Sequence, residues 1–324
     1  MLGARHSRFY PLLKPVTPEQ LNDRCIARLN EADLASRVAV VGSGPSSPYI
    51  APIGKLEELL GERCGLEKEQ EEPFWKFAER AHETNADEYF RVIRETYEET
   101  PYWSADVYRH LIAMPFKAFA TFNYDDQLPK AFRGRYPDNF AEFFSVYPPR
   151  NNSTYFSPPE LLQLPPRLIA VHGYCDPEND QWERQAILRI GDYNQHYGAH
   201  PAPLFDWWRN MLMAAPCFFV GTSLYEPGLH RVIEYLLPGC RDHLEQLGHV
   251  HLVHMPANRY DENSPPGRSL TVIEQVYYDR VDGRYTGLQR VLSKFSGLPT
   301  DRPSPRVPTL KPITATDNFD FDAT

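Results

Sequence analysis

The sequence predicts a doubly wound α/β fold with a mostly parallel sheet, and three strand ends carry that expectation. Val38-Ala39-Val40-Val41 is an apolar run closed by the glycine turn Gly42-Ser43-Gly44. The run 116–122 ends in Asn123-Tyr124-Asp125-Asp126, and the run 168–171 ends in His172-Gly173. Short continuous apolar runs bounded by turn signals fit strands buried on both faces. In open α/β sheets ligands bind beyond the carboxyl ends of the strands. An amide, two carboxylates and an imidazole are therefore expected to converge there, beside a glycine turn suited to a pyrophosphate.

Taken in order, Thr17-Pro18-Glu19-Gln20 reads as a capping box with proline at the first helical position, opening a helix that carries Leu21, Ile26 and Leu29. After the first strand, Leu56, Leu59 and Leu60 suggest the crossover helix of a βαβ unit. The pattern over 66–114 is helical throughout, with Asn85 and Ser104 as N-caps, and suggests a helical insert at about 62–115. The stretch 147–166 holds three Pro-Pro pairs and is expected to be loop. Helices at 204–213, 228–237 and 287–295 alternate with strands at 217–220, 250–253 and 271–276. That alternation is the signature of a Rossmann-like, doubly wound sheet with a helical insert subdomain. One domain over residues 1–298 and a proline-rich, then acidic tail over 299–324 are expected.

Composition narrows the function classes. A chain of 324 residues, 42% hydrophobic and 24% charged, can bury a full core. Its net charge of -9 argues against nucleic-acid binding through a basic surface. Five cysteines form no C-x-x-C pair, which favours reduced thiols and no metal site. No apolar run approaches the roughly 20 residues that span a bilayer. A cytoplasmic protein without membrane contact is expected.

These motifs, in this order, resemble the SIR2-like family, in particular its bacterial NAD-consuming branch associated with anti-phage defence. Gly42-Ser43-Gly44-Pro45-Ser46 is similar to the family's G-A-G-x-S turn, and Thr121-Phe122-Asn123-Tyr124-Asp125 to its T-N-Y-D. Val171-His172-Gly173 is similar to its H-G, and Gly191-Asp192-Tyr193 to the acidic-aromatic pair that follows. Phe219-Val220-Gly221-Thr222-Ser223-Leu224-Tyr225-Glu226-Pro227 is similar to F-V-G-x-S-L-x-D-P, with Glu226 in place of aspartate. Deacetylase sirtuins carry a zinc on four paired cysteines, and that spacing does not occur here.

The resemblance implies NAD as substrate, with Asn123, His172 and Asp125 as catalytic candidates. Gly42, Ser43, Gly44, Ser46, Tyr124, Gly221, Ser223 and Glu226 are the candidates for holding the dinucleotide. Breaking the nicotinamide–ribose bond builds oxocarbenium character, so negative or dipolar groups belong near the anomeric carbon. Asn123 and Asp125 suit that need. In the resembled family the matching asparagine holds a water or the ribose and the matching histidine acts as base. An ordinary imidazole, titrating at about 6.5, suits proton transfer near neutrality. Each residue also has a plainer reading. His172 can be a satisfied structural histidine, Asn123 an Asx-type turn, the glycine turn mere punctuation, and Ser223 with Glu226 an N-cap and first-turn acid. His251 and His254 are expected to flank a strand rather than bind metal.

The expected activity is an NAD+ glycohydrolase releasing nicotinamide and ADP-ribose, an anti-phage effector restrained by homo-oligomerisation or by a partner ATPase or nucleic-acid-sensing protein. A protein deacylase, an ADP-ribosyltransferase and a non-enzymatic NAD or ADP-ribose sensor are the alternatives.

Overall fold

The computed structural model describes residues 17–46, 53–98, 106–148, 155–176, 179, 181–198, 202–224, 226–255, 272–279 and 286–296. The tail 299–324, Ser104 and Tyr225 lie outside the described residues. The chain runs α1 (Pro18–Glu31), β1 (Val38–Val41), α2 (Ile53–Cys64), α3 (Phe74–Thr84), α4 (Ala86–Glu98), α5 (Asp106–Ala113) and β2 (Ala118–Thr121). It continues through α6 (Gln127–Arg135), α7 (Phe140–Phe143), β3 (Phe144–Val146), α8 (Pro158–Leu161), β4 (Leu168–Ala170), α9 (Ile190–Tyr193) and α10 (Pro203–Ala214). It closes with β5 (Cys217–Val220), α11 (Pro227–Leu247), β6 (His249–His254), β7 (Ile273–Tyr278) and α12 (Thr286–Ser296).

The strands form one seven-stranded sheet in the order β3-β4-β2-β1-β5-β6-β7, and every pairing is parallel. This is an α/β Rossmann-like fold. The chain builds outward from β1 through β2 to β4 and β3, then returns to place β5 on the other side of β1. The strand order therefore reverses between β1 and β5, the position at which such sheets open their ligand crevice.

Both faces are covered, which is why the strands read as unbroken apolar runs. Val38, Val40, Phe219 and Ile169 face a core built with Trp208, Met211, Leu229 and Val232 of α10 and α11. Ala39, Val41, Phe119 and Phe218 face the opposite core, with Leu29 of α1, Tyr108 and Leu111 of α5, Phe132 of α6 and Leu288 of α12. A third cluster joins Leu56, Phe77, Tyr89 and Ile93 of α2 to α4 with Trp182 and Leu188. That cluster is the helical insert. α5 stands apart from it, packing on α6 and α12 against the sheet.

Local chemistry sets the boundaries. Thr17 closes the expected capping box: its hydroxyl accepts from Gln20 N–H at 3.2 Å, and its own N–H donates to Gln20 Oε1 at 3.0 Å. Asn85 Oδ1 accepts from Glu88 N–H at 3.2 Å, as an N-cap of α4 does. Residues 66–73 are not helical, although the pattern predicts successive helices beginning at 66. The cause lies at Gly65, whose φ of +68° ends α2 while Leu66 N–H reaches back to the Gly61 carbonyl at 2.9 Å. The loop expected over 147–166 contains the single turn α8, capped by Ser157 and Glu160. His251 and His254 lie within β6 rather than beside it, and His251 Nε2 is 2.9 Å from the Thr222 carbonyl.

Val41 pairs with Val220, so Gly42 and Gly221 leave the sheet side by side. A Cβ on Gly42 would come within 2.5 Å of the Gly221 carbonyl oxygen, and one on Gly221, at φ +60°, would overlap the Pro45 ring. Gly221→Ala is expected to cost roughly 2–4 kcal/mol, from overpacking and a left-handed alanine together. Gly239→Ala, at a helical position with open space around it, is expected to gain about 0.5–1 kcal/mol. Urea unfolding of both variants checks the contrast, and equal effects would contradict it.

Candidate active site at the strand-order reversal

Beyond β2 the backbone is fixed before any side chain matters. Thr121 Oγ1 donates to the Val41 carbonyl at 3.0 Å and accepts from Asn123 N–H at 3.0 Å, while Phe122 N–H extends the ladder to Val41 at 3.2 Å. From there the side chains alternate. Asn123 and Asp125 turn toward Ser46 and α5, whereas Phe122 and Tyr124 turn toward His172. The candidates accordingly fall into two groups on opposite sides of the segment 122–125.

The first group is a closed polar cluster. Ser46 Oγ donates to Asp125 Oδ2 at 2.7 Å and lies 2.5 Å from the Tyr108 hydroxyl. Asn123 Nδ2 donates to Tyr108 at 2.9 Å and more weakly to Ser46 at 3.4 Å. Asp125 Oδ1 takes Gln127 N–H at 3.0 Å, which starts α6. The Asx-type turn considered for Asn123 therefore belongs to Asp125, and the Asn123 amide is free of capping duty. Burial pushes the Asp125 carboxyl up to about 6, despite the opposing hydrogen bonds from Ser46 and Gln127.

The second group surrounds His172. Its ring lies 5.0 Å from Phe122, 5.5 Å from Tyr193 and 6.4 Å from Tyr124, centre to centre. Its Nε2 is 2.9 Å from the Tyr197 hydroxyl and 3.9 Å from Glu226 Oε1. Gly228 makes this possible, because a Cβ there would overlap the Tyr197 ring. Glu226 is itself the N-cap of α11: its Oε2 accepts from Leu229 N–H at 2.7 Å. Its Oε1 is buried and makes no well-aligned hydrogen bond, although the Tyr193 hydroxyl and the Gly228 N–H approach the carboxyl closely enough to oppose the rise that burial causes. Burial raises Glu226 to about 7, and burial followed by repulsion from His196 lowers His172 to about 3. His172 is thus a neutral imidazole near pH 7, and the ordinary histidine value expected from sequence does not apply. The nearby group that titrates close to neutrality is Glu226.

The remaining candidates are placed as follows. Gly42 N–H donates to the Val220 carbonyl at 3.0 Å, Gly44 N–H to Gly221 at 2.8 Å, and the turn enters a 3₁₀ helix, Gly44–Ser46. Two donors expected to cradle a pyrophosphate are therefore committed to β5 and its turn. Ser43 and Ser223 are exposed. Tyr124 donates its hydroxyl to the Ile187 carbonyl at 2.6 Å. Asp192 pairs with Arg189 at 2.7 Å rather than joining the cluster. A cavity of about 390 Å³ opens on the insert beside Phe90, Arg94 and Glu183, and none of the strand-end candidates lines it. Sequence reasoning missed Tyr108 and Tyr197, each of which reads as one more aromatic at helical spacing.

Residues 117–270 match a family model described as the SIR2-like domain. The SIR2-like match contains Asn123, Tyr124, Asp125, His172, Gly221, Ser223 and Glu226, and excludes Gly42, Ser43, Gly44, Ser46 and Tyr108. A SIR2-like domain is compatible with NAD-dependent activity, with NAD as substrate or cofactor. A search of curated proteins finds no match to the chain. Among the described residues no helix is long and apolar enough to cross a membrane, and no histidine, cysteine and carboxylate cluster could hold a metal ion. The five cysteines are free thiols.

Glu226 gives the site a pH signature. Its folded value of about 7 exceeds the ordinary 4.5, so between those values the folded chain holds a proton that the unfolded chain has released. Its contribution to stability therefore falls as pH rises through that window. Glu226→Gln keeps an acceptor for Leu229 and cannot ionise. Relative to the parent, the variant is expected to gain stability as pH is raised from about 5 to about 8. Parallel urea-midpoint curves would contradict this.

Proposed function

We propose that the chain is an NAD+ glycohydrolase, converting NAD+ and water to nicotinamide, ADP-ribose and a proton. The observation that carries this reading is the pairing at the strand-order reversal of a buried amide–carboxylate cluster with a neutral histidine beside a carboxylate that titrates near 7. The SIR2-like match supports the substrate class.

The chemistry asked of the residues is modest. Nicotinamide leaves as a neutral amine and needs no strong acid. The Asn123 dipole and the Asp125 carboxylate favour positive charge developing on the ribose. His172 and Glu226 act as a unit: the imidazole orients the attacking water, and the proton released in forming the new C–O bond ends on Glu226. Tyr197 holds the imidazole in place. Glu226 Oε1, which has no well-aligned partner in the site, is a fitting seat for a ribose hydroxyl.

Gly42 and Gly44 N–H, the donors a pyrophosphate would need, are committed to the Val220 and Gly221 carbonyls. That arrangement supports an enzyme held silent at rest. We read it as an anti-phage effector whose strand ends open on homo-oligomerisation or on engaging a partner ATPase or nucleic-acid-sensing protein. Residues 1–298 would form its NAD-binding domain and 299–324 an appended arm.

Purified protein is expected to release nicotinamide from NAD+, alone or with a candidate partner, at a rate that rises with pH through about 7 as Glu226 ionises. Asn123→Ala and His172→Ala are expected to lower kcat at least about 100-fold with the fold intact, and Glu226→Gln to lower it and flatten the acid limb. Chromatography of the products checks all three. Tight NAD+ binding with no turnover would replace this reading by a sensor, and turnover that requires an acylated peptide would replace it by a deacylase.

A further inference from the structure

Tyr108 lies on α5, outside the matched segment and outside every motif read from the sequence, yet its fully buried hydroxyl joins the candidate cluster. The protons in that cluster can be assigned. An ionised Asp125 only accepts, so the single Ser46 proton goes to Oδ2 across 2.7 Å. The Ser46 oxygen then accepts the Tyr108 proton across 2.5 Å, and the Tyr108 oxygen accepts from Asn123 Nδ2 across 2.9 Å. Both hydrogen bonds from the Asn123 side chain leave its nitrogen. The chain has one direction, and it commits the NH₂ end of the amide to the protein.

We propose that Tyr108 is a positioning residue for cleavage of the nicotinamide–ribose bond: its hydroxyl, through Ser46 and Asp125, locks the Asn123 carboxamide with its oxygen rather than its nitrogen toward the substrate. This rests on the glycohydrolase reading above. The consequence is electrostatic. A carboxamide oxygen presents the negative end of its dipole to the ribose carbon that turns positive, and a flipped amide presents the positive end. Tyr108 is a rigid anchor, since its ring is packed with Leu111, Phe132 and Leu288 against the sheet.

The lock depends on Asp125 remaining ionised, and burial holds that carboxyl at about 6. The groups that bear on it are Asp126, which is paired with Lys130 at 2.8 Å, Tyr97 of the insert, Cys175 beyond β4, and Tyr108 itself. Asp126 adds to the rise, while Ser46 and the Gln127 N–H oppose it.

Tyr108→Phe removes the hydroxyl and keeps the ring. Its expected effect is a roughly 10- to 100-fold fall in kcat for nicotinamide release with KM within about threefold, the pattern of an interaction made in the transition state. A second measurement does not need activity. The Asn123 side-chain amide resonances, assigned by their loss in Asn123→Asp, are expected to shift in the parent with a midpoint near the Asp125 value and to lose that dependence in Tyr108→Phe. Ser46→Ala cuts the same chain one link later and is expected to reproduce the loss. Parent-like kcat in Tyr108→Phe, or an amide titration that persists in it, would overturn the proposal. A parent protein that never releases nicotinamide removes the glycohydrolase reading first, and the amide titration then still decides whether Tyr108 orients Asn123.

Discussion

The distance between two glycine turns governs everything at this end of the sheet. Because β1 and β5 are neighbours in register, Gly42 and Gly221 leave the sheet together, and no side chain fits between them. Their contact lets Gly44 N–H reach the Gly221 carbonyl and folds the turn so that Ser46 arrives over Asp125. Replace that close approach with a wider one and Ser46, Asp125 and Asn123 have no reason to meet. The reversal of strand order is therefore more than a topological label, since it brings the polar residues that follow β1, β2, β4 and β5 to one end of the sheet.

That environment is dry, and dryness sorts the ionisable groups. Asp125 and Glu226 are pushed up and His172 is pushed down, all with desolvation as the largest cause. Glu226, a carboxylate that titrates near neutrality next to an imidazole that does not, inverts the usual assignment of proton acceptor. Sites in which environment drives neighbouring groups apart are where acid and base roles become distinct. Glu226 holds a double position here, capping α11 with one oxygen and facing His172 with the other.

Much of the scaffold was legible because strands buried on both faces need no partner to be recognised: the runs at 38–41, 217–220 and 168–171 announce themselves by apolar continuity. β3 did not, since Phe144-Ser145-Val146 is three residues long at the sheet edge, and α6 was hidden by Pro129 and Gly134 within it. The candidate residues were legible by type and by strand end, but their grouping was not. Which way 122, 123, 124 and 125 point depends on how the chain leaves β2, and that is fixed by a Thr121 hydroxyl bond to Val41 across the sheet. Tyr108 was invisible for a different reason. An amphipathic helix uses tyrosine as core far more often than as a polar partner, and only the tertiary position of α5 turns its hydroxyl into one.

A site whose polar groups satisfy one another poses an energetic question for a proposed hydrolase, and the magnitudes answer it. Opening the strand ends exchanges a few internal hydrogen bonds for bonds to water or substrate, at a net cost of about 0.5–1.5 kcal/mol each. A resting bias of a few kcal/mol keeps the open form rare, yet an assembly or partner with a comparable preference for that form is enough to populate it. Internal hydrogen bonding is in this respect a better restraint than a packed apolar plug. In the proposed reading the groups that hold the site shut are the Gly42 and Gly44 N–H donors that a pyrophosphate would engage, so substrate itself contributes to keeping it open once admitted, while the bonds joining Ser46, Asp125, Tyr108 and Asn123 stay in place. An NAD-consuming effector needs that combination: quiet alone, decisive once triggered.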